Sequence, residues 1–403
     1  MSTPGLLSYE DRALHSTWNI SYTEIAQRNP DAAMLLTLLP YFDNEDVWFQ
    51  LLEEIRQTPP EWDAPRYTGP ARPSKMGWLR YLADDMLKFN EAVRILCDYG
   101  LLEANKPMNR HSGGTGSMGY SMHTCVQSWA AHRMSDEVDA DMVRIVVHCV
   151  ALHILDNEEP RWWEVDRRLL QHALRCYTAL TRDQIEVSEG GEWALHRLGV
   201  LFLRHGWLGE AELMNKRALY GRERTLDREH RATLDAVNNL GTIYTKSGLF
   251  VKAEDMYMRV LKGREKLWGP GHPETLKVLN NLGTLYQAKG NLSRAGEKYK
   301  SSIAGKGREE SIGVGHVSTL QTLQNLATVY RRQDRPSEAE ETLKRVLKGF
   351  GSARSRPGQD ICSGARCVDE PWRVVRLLGP ARRGQGTASS LPVRPPRCIR
   401  HTT

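Results

Sequence analysis

A chain of 403 residues with 40% hydrophobic composition is long enough for two or three domains and apolar enough to bury their cores, which argues against disorder over most of its length. Its formal charge of +6 sits at one end: residues 351–403 hold ten arginines, no lysine and three acids, a net of +7, which leaves residues 1–350 at −1. A near-neutral body without a basic stripe argues against nucleic acid as a partner, and seven cysteines without a C-x-x-C pair point to neither a zinc site nor a disulfide framework.

The first ten residues lack a basic and then apolar leader, and the longest apolar stretch, Met142 to Leu155, is interrupted by Arg144, His148 and His153. The expectation is a cytoplasmic protein with no membrane partner. The N-terminal part then reads as helices over Tyr22–Arg28, Asp31–Leu39 and Glu45–Ile55, followed by a proline-rich hinge from Thr58 to Ser74. Helices Trp78–Phe89 and Glu91–Tyr99 come next, then a turn at Gly100, a short strand from Leu101, a glycine-rich loop His111–Ser117 and a second strand through Tyr120 into a helix His123–Met134. Helix, helix, β-hairpin, helix is the order of a winged-helix module, so residues 8–135 are predicted to form one. Glu137–Leu155 and Arg161–Leu180 read as a helical bridge over 136–185. His148 and His153 are five apart and Trp162-Trp163 lies in an amphipathic helix. Neither fits a Ser-His-Asp, H-E-x-x-H or paired-carboxylate pattern, so no enzyme chemistry, metal or cofactor is expected.

Ser16-Thr17-Trp18-Asn19-Ile20-Ser21-Tyr22, Asp31-Ala32-Ala33-Met34-Leu35-Leu36 and Tyr120-Ser121-Met122-His123-Thr124-Cys125-Val126-Gln127 resemble the segment that follows the nucleotide-binding core in fungal NB-ARC or NACHT proteins with tetratricopeptide tails, signalling NTPases of the NOD-like receptor type. In that family a Met-His-Asp motif sets its histidine against the β-phosphate of ADP. Met122-His123 matches its first two positions, and Thr124 departs from the third. The sequence contains no G-x-x-x-x-G-K-[ST], so the phosphate cradle is missing. His123 is therefore either a remnant of a nucleotide sensor or a helix-start residue.

The region 188–350 repeats. Leu198-Gly199 returns as Leu240-Gly241 and Leu282-Gly283 at a period of 42, then as Leu326-Ala327 after a two-residue insertion, and thirteen residues past each leucine stands Ala211, Ala253, Ala295 or Ala339. Breaks at Gly206, Gly248, Gly290 and Asp334-Arg335-Pro336 close four antiparallel hairpins, whose apolar faces can be buried only by stacking. Small residues opposite Tyr244, Tyr286 and Tyr330 predict close helix crossings. These residues resemble tetratricopeptide repeats, and Gly269-Pro270-Gly271-His272-Pro273-Glu274-Thr275-Leu276 with Asn280-Asn281-Leu282-Gly283 is similar to the kinesin light chain subtype. The resemblance implies a mostly α protein with a right-handed solenoid whose concave wall is lined by the first helix of each pair and takes extended peptides.

Helical spacing selects the side chains for that wall. On helix 230–246, Asp235, Asn238, Asn239, Thr242, Thr245 and Lys246 fall opposite Leu240 and Tyr244. Their equivalents are Asn280, Asn281, Thr284 and Gln287, and then Gln324, Asn325, Thr328 and Arg331. A recurring asparagine offers a donor and an acceptor to a peptide backbone, or it is a solvated polar residue. Leu343, Val346 and Leu347 predict an uncapped apolar edge and self-association through it. From Gly351 the register vanishes. Residues 351–403 read as a disordered tail, or as a fifth repeat translated out of frame, because a one-nucleotide shift lets Glu370–Arg373 encode Asn-Leu-Gly and Ala381–Gln385 encode Leu-Asp-Glu-Ala-Lys. The expected function is a protein-interaction scaffold that holds a peptide or protein partner in its groove. The alternatives are the regulatory part of a signalling NTPase whose core is missing, or an adaptor of the kinesin light chain kind.

Overall fold

The computed structural model describes residues 9–53, 55, 74–105, 118–134, 139–156, 159, 162–187, 190–304 and 317–354. The expected hinge, the glycine-rich loop and the tail beyond Arg354 lie outside them. The N-terminal region begins with α1 (Tyr9–Arg28) and α2 (Pro30–Leu38), whose Asn29 cap accepts the Ala32 amide and whose buried Ala32, Leu35, Leu36 and Leu38 centre the local core. A short 3₁₀ turn, Leu39–Tyr41, leads to β1 (Val47–Trp48) and α3 (Phe49–Glu53).

Here the structure corrects the sequence reading: Glu45–Ile55 is not one helix. Asp46 takes φ 56°, which no helix tolerates, and Val47 and Trp48 pair with Tyr120 and Gly119. α4 (Ser74–Ala83) and α5 (Met86–Asp98) are separated by Asp85, which caps α5 through the Leu87 amide, so their boundary falls earlier than expected. β2 (Glu103–Ala104) and β3 (Gly119–Ser121) complete an antiparallel sheet of order β1-β3-β2, with Glu103 opposite Ser121. α6 (Thr124–Met134) follows.

α7 (Ala140–Leu152) and α8 (Trp162–Arg182) form the next hairpin. α8 grips the loop before β1. Arg168 chelates the Asp46 carboxylate at 2.7 and 2.8 Å while lying 3.9 Å over the Trp48 ring, and His172 Nδ1 accepts from the Asp43 amide at 3.2 Å. On its other side, buried Asp166 accepts from Arg204 Nη1 at 3.1 and 3.3 Å.

The array itself runs through α9 (Glu192–His205), α10 (Leu208–Thr225), α11 (Arg231–Lys246), α12 (Phe250–Trp268), α13 (Pro273–Ala288), α14 (Leu292–Ala304), α15 (Val317–Arg332) and α16 (Pro336–Arg354). Consecutive elements pack as hairpins, and each second helix packs on the first helix of the next pair. Gly206, Gly248 and Gly290 turn the first three hairpins at φ 76–82°, and Asp334 turns the fourth at 58°. The repeated leucines, alanines and tyrosines are all buried.

The close crossing has a partner the sequence reading did not name. A Cβ on Gly241 or Gly283 would lie 2.7 or 2.6 Å from the ring of Tyr257 or Tyr299 on the second helix. Gly199 faces Asn215 in the same way, and in the fourth repeat Ala327 stands where the corresponding residue is Leu343. Leu343 and Val346 are 1% and 0% exposed, so of the open edge that was expected only Leu347 stays partly accessible. No described helix is long and apolar enough to cross a membrane.

Candidate functional site

The sequence-selected residues fall on the first helices of the second to fourth hairpins, and hydrogen bonds link them across repeats. Asn281 Nδ2 donates to Asn238 Oδ1 at 3.0 Å, and Asn325 Nδ2 to Asn280 Oδ1 at 3.5 Å. One repeat earlier the row changes, because His196-Arg197 stands in place of the asparagine pair. Asn239 Nδ2 turns instead to Asn215 Oδ1 at 3.5 Å, on the second helix.

Each bond uses half of each amide. Asn238 and Asn280 keep both Nδ2 protons, and Asn239, Asn281 and Asn325 keep Oδ1; no other hydrogen bond engages these side chains among the described residues. The five are half-buried, so they form the floor of a surface that is partly shielded from water yet retains donors and acceptors in alternation.

The threonines serve the helices first. Thr242, Thr284 and Thr328 donate to the carbonyls of Asn238, Asn280 and Gln324 at 3.0–3.2 Å, and Thr245 donates to Gly241 at 2.8 Å. Thr242 and Thr284 also meet the hydroxyls of Tyr257 and Tyr299 at 3.0 and 3.2 Å, and Gln287 Oε1 accepts from Tyr299 at 3.1 Å. Burial pushes the Tyr299 phenol up to about 12, so it stays a neutral donor. Asp235 is committed to Arg264 at 2.5 Å, a guanidinium that is 4% exposed and also donates to the Glu274 carbonyl. Lys246 reaches the Leu203 carbonyl at 3.5 Å, closing the end of the preceding first helix. Thr284 and Arg331 stand exposed on this face, and Arg331 has no partner among the described residues.

His123 is exposed and sits apart from these. Its Nδ1 accepts the Cys125 amide at 3.3 Å and so caps α6, in the way that His230 and His272 accept from Ala232 and Glu274 at 3.2 Å and cap α11 and α13. Among the described residues no group of three His, Cys, Asp or Glu is placed to hold a metal ion.

The sequence reading missed three sets of contacts. Asn215 ends the ladder; Arg222 and Arg264, one period apart, donate from inside the array to the carbonyls of Ala232 and Glu274 at 2.6 and 2.9 Å; and Arg197 donates to the Ile154 carbonyl at 2.8 Å, joining the first repeat to the segment that follows α7. The recurrence of arginine at one register was the available signal for the second.

Residues 232–307 and 319–349 each match the tetratricopeptide repeat family. Those hairpins are tetratricopeptide repeats. No curated protein matches the chain by sequence. Among solved structures, BtubC (BKLC) from P. vanneervenii is 19% identical over 55% of this chain and 86% of its own, with a TM-score of 0.42. A kinesin-light-chain-type protein of Podospora anserina with nearly identical TPR-like repeats is 19% identical over 54% and 99%, with a TM-score of 0.41. NprR in complex with its cognate peptide NprX is 14% identical over 62% and 66%, with a TM-score of 0.41. Overlaps this shallow say nothing of what the present chain binds. The tetratricopeptide hairpins between residues 232 and 349 make this part of the chain a protein-interaction scaffold.

Proposed function

We propose that this scaffold holds an extended peptide, or an extended segment of a partner protein, along the inner faces of α11, α13 and α15. The observation that carries the reading is the half-used asparagine ladder: donors at Asn238 and Asn280 alternate with acceptors at Asn239, Asn281 and Asn325, which is what a strand-like backbone needs whatever its side chains. Gln324, Thr328, Thr245 and Gln287 frame the row, and Thr284 and Arg331 supply exposed contacts. Asp235, Thr242 and Lys246 keep the helices in register.

The test is peptide selection from a displayed random library on the full chain, followed by titration of the peptides recovered. Asn238→Ala, Asn280→Ala and Gln324→Ala together remove hydrogen bonds worth roughly 0.5 to 1.5 kcal/mol each, so affinity is expected to fall about tenfold or more. Glu265→Ala, on the second helix of a hairpin, is the control. Peptides bound equally by the triple variant would place recognition elsewhere.

A second reading rests on the order α4, α5, β2–β3 hairpin, α6. It takes residues 8–135 as a winged-helix part of a cytoplasmic, fungal signalling NTPase of the NB-ARC or NACHT type, with the repeats as its sensor. In that reading the present chain does not itself bind nucleotide, and calorimetric titration with ADP is expected to show no heat of binding; micromolar binding would overturn it.

A further inference from the structure

The outer helix of the second tetratricopeptide hairpin carries a face that the fold leaves unused. On α12, Val251, Asp255, Met258 and Lys262 recur at offsets of four, three and four and so share one stripe. All four are exposed, Val251 by 70% and Met258 by 49%. The neighbouring charges are engaged: Glu254 with Tyr286 and Lys289, Arg259 with Glu223, Arg264 with Asp235, Lys266 with Glu229. Asp255 and Lys262 have no partner among the described residues. One period later the same positions on α14 are Ser293, Glu297, Lys300 and Ala304, so the repeat itself does not require apolar residues there.

We infer that this stripe is the contact of a two-fold homodimer in which α12 lies antiparallel on α12 of a second copy. The stripe is complementary to itself. With the two-fold axis beside Met258, Asp255 of each copy meets Lys262 of the other, and Met258 meets its own mate. A parallel arrangement would set Asp255 against Asp255 and Lys262 against Lys262. A different partner would have no need for the two charges to be complementary to each other about Met258. Leu213 and Tyr220 on α10, 36% and 67% exposed, widen the apolar surface, since α10 is tied to α12 by Glu223 and Arg259 at 2.7 Å. From Val251 to Lys262 the stripe is about 17 Å long at 1.5 Å per residue, so the contact belongs at the low end of specific interfaces. The dimer is therefore concentration-dependent.

Sedimentation velocity on the full chain, from micromolar to sub-millimolar, reads it directly. The wild type is expected to move from monomer to dimer across that range. Met258→Glu and Asp255→Lys, both at exposed positions, are each expected to raise the dimer dissociation constant about tenfold or more, and the swap Asp255→Lys with Lys262→Asp to return it to within about threefold of the wild type. A chain that stays monomeric throughout overturns the proposal. So does a dimer indifferent to Met258→Glu, as association through the end of the array would be, or a swap no better than Asp255→Lys alone.

Discussion

Asn281 Nδ2 donates to Asn238 Oδ1 at 3.0 Å although the two belong to consecutive repeats. The bond joins two first helices that otherwise meet mainly through the second helix between them, so the asparagine row is a strut of the array as well as a surface. Alanine is the better helix former by several tenths of a kcal/mol, and from sequence alone Asn→Ala looks neutral or stabilising. The strut reverses that expectation. Asn281→Ala removes a half-buried bond worth about 0.5 to 1.5 kcal/mol and is expected to lower stability slightly, with Asn325→Ala, whose bond is 3.5 Å long, costing less. A double-mutant cycle on Asn238 and Asn281 in urea should give a favourable coupling of about 0.5 kcal/mol or more; zero coupling would show that the amides do not interact.

The pairs Gly241–Tyr257, Gly283–Tyr299 and Ala327–Leu343 occupy one register, and the larger first residue goes with the smaller second one. Gly241→Ala puts a methyl group 2.7 Å from the Tyr257 ring and is expected to cost about 1 to 3 kcal/mol. Tyr257→Leu alone opens a void and loses the contact with Thr242. Combined, they recreate the fourth repeat's solution, so the double variant should be more stable than the two single losses added together. Thermal denaturation of the four proteins checks this, and strict additivity would mean the pairs do not share a site.

The repeats were legible because leucine, glycine and alanine recur at fixed spacing, and each position answers to a need that spacing encodes: an exposed hairpin turn, a close crossing or a buried stacked face. Tyr257 and Tyr299 were there to be read sixteen residues past each glycine. They were passed over because tyrosine looks like ordinary core until the missing Cβ opposite it is known. The first strand could not be read locally. Val47 and Trp48 are extended only because Tyr120 and Gly119, more than seventy residues later, supply the hydrogen-bonding edge. The ladder lies between these cases: Asn280 and Asn281 announced a polar row, but which amide meets which depends on the stacking of one hairpin on the next.

Asp166 on α8 is completely buried and its partner is Arg204 on α9, which also donates to the Leu155 carbonyl at 2.6 Å. Burial pushes the Asp166 carboxyl up, against the pull of the guanidinium. Asp166→Ala leaves Arg204 charged and nearly enclosed, and removing one member of such a pair typically costs about 3 to 5 kcal/mol. Asp166→Ala with Arg204→Met should recover much of that loss. Denaturation curves for the single and double variants decide it, and a single variant as stable as the wild type would show that water already reaches the pair.

The opposite side of α8 sets an acid limit. His153 at the end of α7 and His172 on α8 both present ring edges to Trp48, at centroid distances of 6.0 and 5.9 Å. Burial lowers His153 to about 4, and it lowers His172 and the nearby His148 and His196 in the same direction, with the Arg168 guanidinium adding to the effect on the first two. His172 shows why the neutral form is required: Nδ1 accepts from the Asp43 amide, so its ring proton sits on Nε2, facing the Asp46 carbonyl at 3.3 Å, and a second proton would displace the Asp43 bond. Unfolded histidine titrates near 6.5, so the unfolded chain takes up protons that the folded chain refuses. The stability due to neutral histidine is fully present above about pH 6.5 and is lost as the pH falls toward the folded values, which for His153 alone is on the order of 3 kcal/mol by the time pH 4 is reached. Urea unfolding followed by tryptophan emission is expected to show a midpoint that falls steadily from pH 6.5 to 5, above the range in which most carboxylates titrate. His153→Phe keeps the ring against Trp48 without a site for the proton, and is expected to flatten that slope by about one proton's worth. A midpoint independent of pH across this window would mean that these histidines are open to water in the folded chain.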